Sequence, residues 1–143
     1  MNMANLGRAI EIAVSAHAGQ TDKGGKPYIL HPMWVMNKVR HLGEAYMIAA
    51  ILHDVPEDTE WTIDMLIEEG FSIEVITALM YLTHSEEDSY EDYIKNLSRS
   101  KIAKAVKLRD LEHNSKITRL KGLRKKDFDR LAKYHKAYTY LKD

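Results

Sequence analysis

The stretch Leu52–Thr59, LHDVPEDT, closes an apolar run with a histidine and an aspartate, and a second acidic pair, Glu57 and Asp58, follows at once. Ionisable groups set into what otherwise reads as core helix must be paired, hydrogen-bonded or bound to a cation, because an uncompensated buried charge is costly. Two other positions share this character. His31 follows the apolar PYIL at a helix start, and on AVKLRDLEHN helical spacing from Val106 puts Asp110, then Asn114 or His113, on the inward face. His31, His53, Asp54 and Asp110 together offer imidazole nitrogens and carboxylate oxygens from different helices, a set suited to manganese, iron, cobalt or zinc. Each residue taken singly reads better as a hydrogen-bonded core histidine, or as an aspartate paired with a cation such as Lys107 or Arg109. Spacing alone leaves both readings open.

The remaining polar signals are weaker. Glu57 and Asp58 could orient a water or carry protons beside such an ion, although two acids after a helix are more simply solvated. Lys23, Lys26, Gly24 and Gly25 could hold a phosphate through charge and backbone N–H groups, where most Gly/Lys loops are only turns. Lys101, Lys104 and Lys107 fall at helical spacing and read as a solvated face. In the tail, Phe128, Leu131, Tyr134 and Tyr138 read as core positions, not as a platform for stacking bases.

Helical periodicity runs nearly everywhere, so the expected fold class is all-α. Leu6, Ile10, Ala13, Val14 and His17 share one face. GQTDKGGKPYILHP is a loop, and Pro32 opens a helix Met33–Leu42 that Gly43 ends. Glu44–His53 is a buried central helix, which Pro56 should break or kink, moving Glu57 and Asp58 into a loop. Thr62 caps Ile63–Glu69 before Gly70, Ser72 caps Ile73 to about His84, and Ser89 heads Tyr90–Leu97. Ser100 heads Lys101–Leu120, and Asp127 caps Phe128–Leu141.

The chain has 143 residues, one domain's worth, with 21 basic and 21 acidic side chains. That balance argues against a nucleic-acid partner, since such proteins carry a basic excess. The absence of cysteine excludes disulfides and a thiolate zinc site. The N-terminus carries Arg8 and Glu11 where a secretory segment would be apolar, and no run is long enough to span a bilayer, so a cytoplasmic protein with no membrane partner is expected.

Taken in order, AHAGQTDKGGKPYILHP, AAILHDVPEDTEWT and AVKLRDLEHN resemble the hydrolase domain of the RelA/SpoT family, within the HD superfamily of metal phosphohydrolases. The resemblance covers about residues 5 to 140. It implies an all-helical HD-domain bundle with a metal site between helices, spanning 1–143 as a single domain that acts as a stand-alone small alarmone hydrolase. The implied activity is removal of the 3′-pyrophosphate of guanosine tetra- or pentaphosphate, giving GDP or GTP, with one manganese ion. Carried over by position, the metal ligands are His31, His53, Asp54 and Asp110. Glu57 and Asp58 handle the attacking water, Asn114 contacts nucleotide, and Lys23 matches a basic residue of the substrate loop.

Departures from the family pattern lie at Asp22, where an arginine usually packs on the base, at Pro56, where an aliphatic residue is usual, and at Arg109 and Glu112 in LRDLEHN. Asp22 keeps a second substrate open, such as the 2′-phosphate of NADPH. A nucleotide-sensing helical module without turnover is the remaining alternative.

Overall fold

The computed structural model describes residues 4–120 and 122–142. Among them there is no strand, only an isolated bridge between Thr21 and Pro27, so the all-α expectation holds. Among the described residues no helix is long and apolar enough to cross a membrane.

The order is α1 (Leu6–Ala16), α2 (Leu30–Lys38), α3 (Glu44–Leu52), α4 (Val55–Asp58), α5 (Ile63–Glu69), α6 (Ile73–Leu82), α7 (Tyr90–Leu97), α8 (Lys101–Asn114) and α9 (Lys125–Lys142). The helix α3 is the axis of the bundle. Its residues Ile48–Leu52 are buried, and it packs against α1, α2, α6 and α8, which matches a sequence apolar on all sides. The remaining helices bury one stripe each, and α9 lies across α7 and α8.

Local chemistry sets several boundaries. Thr62, Ser72, Ser89 and Ser100 each accept a hydrogen bond from the backbone N–H three residues on, and Gly70 closes α5 in the left-handed region at φ 94°. Ser100 caps α8, the helix that carries Asp110. Ser100→Ala is expected to cost about 1 kcal/mol of stability, read as a lower urea midpoint with an unchanged slope.

Other boundaries differ from expectation. The helix α2 begins three residues earlier than the proline suggested and ends at Lys38, with a 3-10 turn Arg40–Leu42 leading to Gly43. On α1 the buried stripe is Ala9, Ile12, Ala13 and His17, while Val14 is 49% exposed. The helix α8 stops at Asn114, and a 3-10 turn Ile117–Arg119 follows, so Ile117 does not continue the apolar stripe. Asp127 lies inside α9, its carboxylate reaching back to the Arg124 N–H, and Phe128 is 54% exposed and not core. Leu131, Tyr134 and Tyr138 are half-buried.

Candidate metal centre and active-site cleft

Consecutive residues on a continuous helix point about 100° apart, so one helix could not aim both His53 and Asp54 at the same point. The chain solves this by ending α3 at Leu52. His53 and Asp54 form a turn, and α4 begins at Val55 with Pro56 in its first turn, where a missing N–H costs nothing. Contrary to the sequence expectation, Glu57 and Asp58 remain helical.

His53 Nδ1 lies 2.6 Å from the Ala50 carbonyl, which can only accept, so Nδ1 carries the proton and Nε2 faces inward. His53 Nε2 is 3.1 Å from Asp54 Oδ2 and 3.3 Å from Asp110 Oδ1. From α2, His31 Nε2 lies 2.8 Å from Asp110 Oδ1 and 3.8 Å from Asp54 Oδ2. One donor atom from each of these residues lies within 4.8 Å of all the others, and His31, His53 and Asp110 are buried. Ligand atoms sharing an ion at about 2.1 Å sit at most about 4.2 Å apart, so the donor set fits a divalent ion with little movement. Neutral imidazoles with hard carboxylate oxygens are the chemistry such an ion takes.

Second contacts orient the donors. Lys107 Nζ bonds Asp110 Oδ2 at 2.9 Å, and Asn114 Nδ2 donates to Asp110 Oδ1 at 2.9 Å. Tyr28 donates its hydroxyl to Asp54 Oδ2. His17, buried behind Tyr28 with ring centroids 5.1 Å apart, bonds Gln20 through Nδ1 at 2.9 Å. Lys107 is therefore not part of a solvated lysine face but the cation that neutralises a buried carboxylate.

The electrostatics favour binding of a cation. Burial pushes the Asp110 carboxyl up, but Lys107 and the histidine bonds outweigh it and hold Asp110 well below the usual carboxylate range. Burial lowers His53, yet Asp54 and Asp110 hold it well above the ordinary imidazole value, so the free site keeps a proton there at neutral pH. A metal must displace that proton. Apparent metal affinity is therefore expected to rise with pH through the neutral range and to level off above the raised His53 pKa. Titration calorimetry in buffers of different ionisation enthalpy checks this through the protons released.

Beside the donors opens a cleft of about 230 Å³ lined by Lys23, Tyr28, His31, Asn114, Arg130 and Tyr134, among others. Lys23 and Asn114 thus share one cleft with His31. Lys26 instead lines a neighbouring groove with Trp34 and His113, which His31 also borders. The loop amides are not open to a phosphate. Asp22 Oδ1 accepts from the Gly24 and Lys26 N–H groups at 2.8 and 2.9 Å, and the Asp22 carbonyl accepts from Gly25. Gly25, at φ 82°, permits that tight turn.

On α4, Glu57 Oε1 accepts from the His84 N–H, and the Asp58 carbonyl accepts from Gln20. Burial, with Asp54 and Glu57 nearby, raises the Asp58 pKa. Tyr28, Arg130 and the cleft position of Tyr134 escaped sequence reasoning, whereas the pairing of Lys107 with Asp110 was one of the readings the sequence left open. Only Lys107, three residues before Asp110, carried a usable signal in its spacing.

A family model described as HD domain matches residues 9–125. The chain belongs to the HD domain family. Among curated proteins, this HD domain is 32% identical over 128 residues to a probable GTP pyrophosphokinase of Mycobacterium leprae, covering 82% of the chain and 16% of that protein. It is 36% identical over 115 residues to the guanosine-3′,5′-bis(diphosphate) 3′-pyrophosphohydrolase of Haemophilus influenzae, covering 72% of the chain and 17% of that protein. A Synechocystis protein named probable guanosine-3′,5′-bis(diphosphate) 3′-pyrophosphohydrolase is 36% identical over 121 residues, covering 75% and 16%. The HD domain thus spans about one-sixth of the length of these relatives. The resemblance to RelA/SpoT proteins holds. The same fold occurs in a solved structure described as a metazoan ortholog of SpoT that hydrolyzes ppGpp, with TM-score 0.79 and 22% identity, covering 99% of this chain and 86% of that one.

Proposed function

We propose that this HD domain is a metal-dependent hydrolase that removes the 3′-pyrophosphate of guanosine tetra- or pentaphosphate, in the cytoplasm and with manganese as its ion. The observation that carries the reading is the convergence of His31, His53, Asp54 and Asp110 beside a cleft containing Lys23 and Arg130. Relatives named for this reaction support the substrate.

A divalent ion held by those donors supplies Lewis acidity at a phosphoryl oxygen and lowers the pKa of a water. The chain's own groups do the rest. Glu57, anchored by the His84 N–H, takes the proton of the attacking water. Asp58, with its raised pKa, hands a proton to the departing 3′-oxygen. Lys23 and Arg130 offset the charge gathering on the diphosphate as it is transferred to water. Asn114 contacts the nucleotide from the cleft wall, and Lys26 extends the cationic surface along the adjoining groove.

One observation favours a second reading. Asp22 is engaged in holding its loop, so the usual planar cation for guanine is missing and another nucleotide phosphate, such as the 2′-phosphate of NADPH, could be the substrate. The test is turnover of ppGpp with manganese, products resolved by ion exchange, with EDTA and NADPH arms. GDP and pyrophosphate appearing only with metal establish the first reading. Release of phosphate from NADPH with ppGpp untouched establishes the second. Glu57→Gln is expected to lower kcat by about 10²- to 10⁴-fold while metal affinity stays unchanged, separating a proton-transfer role from a ligand role.

A further inference from the structure

His113 has no part in the chemistry above, yet its ring is held more tightly than a surface residue requires. Its Nδ1 lies 2.7 Å from Nδ1 of His31, and the two rings are inclined by only 17° at a centroid separation of 4.9 Å. Stacked faces could not bring two ring nitrogens that close while keeping the centroids so far apart. The rings are therefore side by side and nearly coplanar, which directs the N–H of one along the lone pair of the other. Behind it, the Trp34 indole does stack on His113, at 4.5 Å and 22°, and the Lys116 ammonium lies 4.5 Å from the centre of the Trp34 ring. The imidazole is thus clamped in the plane of the ring it serves.

Building on the metal-site reading, we propose that His113 is a positioning residue that sets the tautomer and orientation of His31. A metal-bound imidazole presents one bare nitrogen to the ion and keeps its proton on the other, and the partner of that second nitrogen fixes both. In His31 the inward nitrogen is Nε2, 2.8 Å from Asp110 Oδ1. Its proton must then sit on Nδ1, where His113 Nδ1, 2.7 Å away, is placed to accept it. Most such partners are carboxylates or backbone carbonyls, which can only accept. An imidazole can also donate. Without an ion, His31 Nε2–H can donate to Asp110 while His113 donates to His31 Nδ1. On loading, both protons shift one place and the His31–His113 hydrogen bond survives with its direction reversed. The site can thus exist intact in both states without a buried nitrogen losing its partner.

The decisive experiment is nitrogen-15 NMR of the histidine rings in the wild-type protein, metal-free and loaded with diamagnetic zinc, at about pH 8 where ordinary imidazoles are neutral. A through-hydrogen-bond nitrogen–nitrogen coupling between the two Nδ1 atoms is expected, with the His31 proton on Nδ1 in the zinc form. Absence of the coupling, or a zinc form with Nδ1 of His31 bare, overturns the proposal whether or not any variant folds. In parallel, manganese affinity is measured without substrate. His113→Leu is expected to weaken it about 10- to 100-fold, as loss of a ligand's outer partner does, while His113→Asn, whose amide oxygen can replace the Nδ1 acceptor, restores most of it. Affinity of His113→Leu within about twofold of wild type also overturns the proposal. If the wild type binds neither manganese nor zinc, the metal-dependent function and this inference fall together. If it binds them but leaves ppGpp intact, only the substrate assignment falls.

Discussion

Asp54→Asn is expected to lower kcat/KM on ppGpp by more than about 10³-fold, equivalent to about 4 kcal/mol of transition-state stabilisation. The substitution keeps shape, and the new amide oxygen can still accept from Tyr28, so far-UV circular dichroism and melting should change little. What is lost is a negative charge 3.1 Å from His53 Nε2 and 3.8 Å from His31 Nε2. Metal titration should weaken in step with turnover. Retained turnover in the presence of EDTA would dismiss the metal site; retained metal binding with lost turnover would move Asp54 from ligand to proton carrier.

The second large effect concerns Lys107. Its ammonium is 2.9 Å from Asp110 Oδ2, both side chains are largely buried, and burial, which would lower the lysine, is outweighed by Asp110 and by Tyr93 and Tyr90. Removing one partner of a buried pair strands the other, at a cost of about 3 kcal/mol or more. Lys107→Met keeps the apolar stem and deletes the charge, so the metal-free protein should lose about that much stability in urea denaturation. An ion takes over the neutralising role, so the loss should shrink when manganese is present. Equal losses with and without manganese would mean that Lys107 stabilises something other than the Asp110 carboxylate.

Much of this was readable from sequence because it depends on neighbours along the chain. Thr62 and Gly70 bound α5 as expected, since a capping hydroxyl and a residue tolerant of positive φ act within a few positions. The inward placement of His31, His53 and Asp110 followed from their position on apolar stripes. Misread features depended on contacts across the fold. The helix α8 ends at Asn114 with no glycine to mark the stop, and Lys116 and Leu120 beyond it line the cleft. Pro56 reads as a breaker, but as a first-turn proline it starts a new helix. The Tyr28 contact with Asp54 joins the loop before α2 to the turn after α3, and the contact of His113 with His31 comes from the packing of α2 against α8, so neither partner is visible along the chain. Asp22 looked like a missing base contact, whereas its carboxylate spends itself on its own loop.

The placement of the donors has a mechanical consequence. His31, His53 and Asp54 belong to the first half of the chain, and Asp110 reaches them from a helix far along it. An ion shared among them is a cross-link closing a long loop of chain, and loop closure removes freedom from the unfolded state. A protein without a single cysteine would thus possess a reversible staple, fastened by metal supply and undone by a chelator.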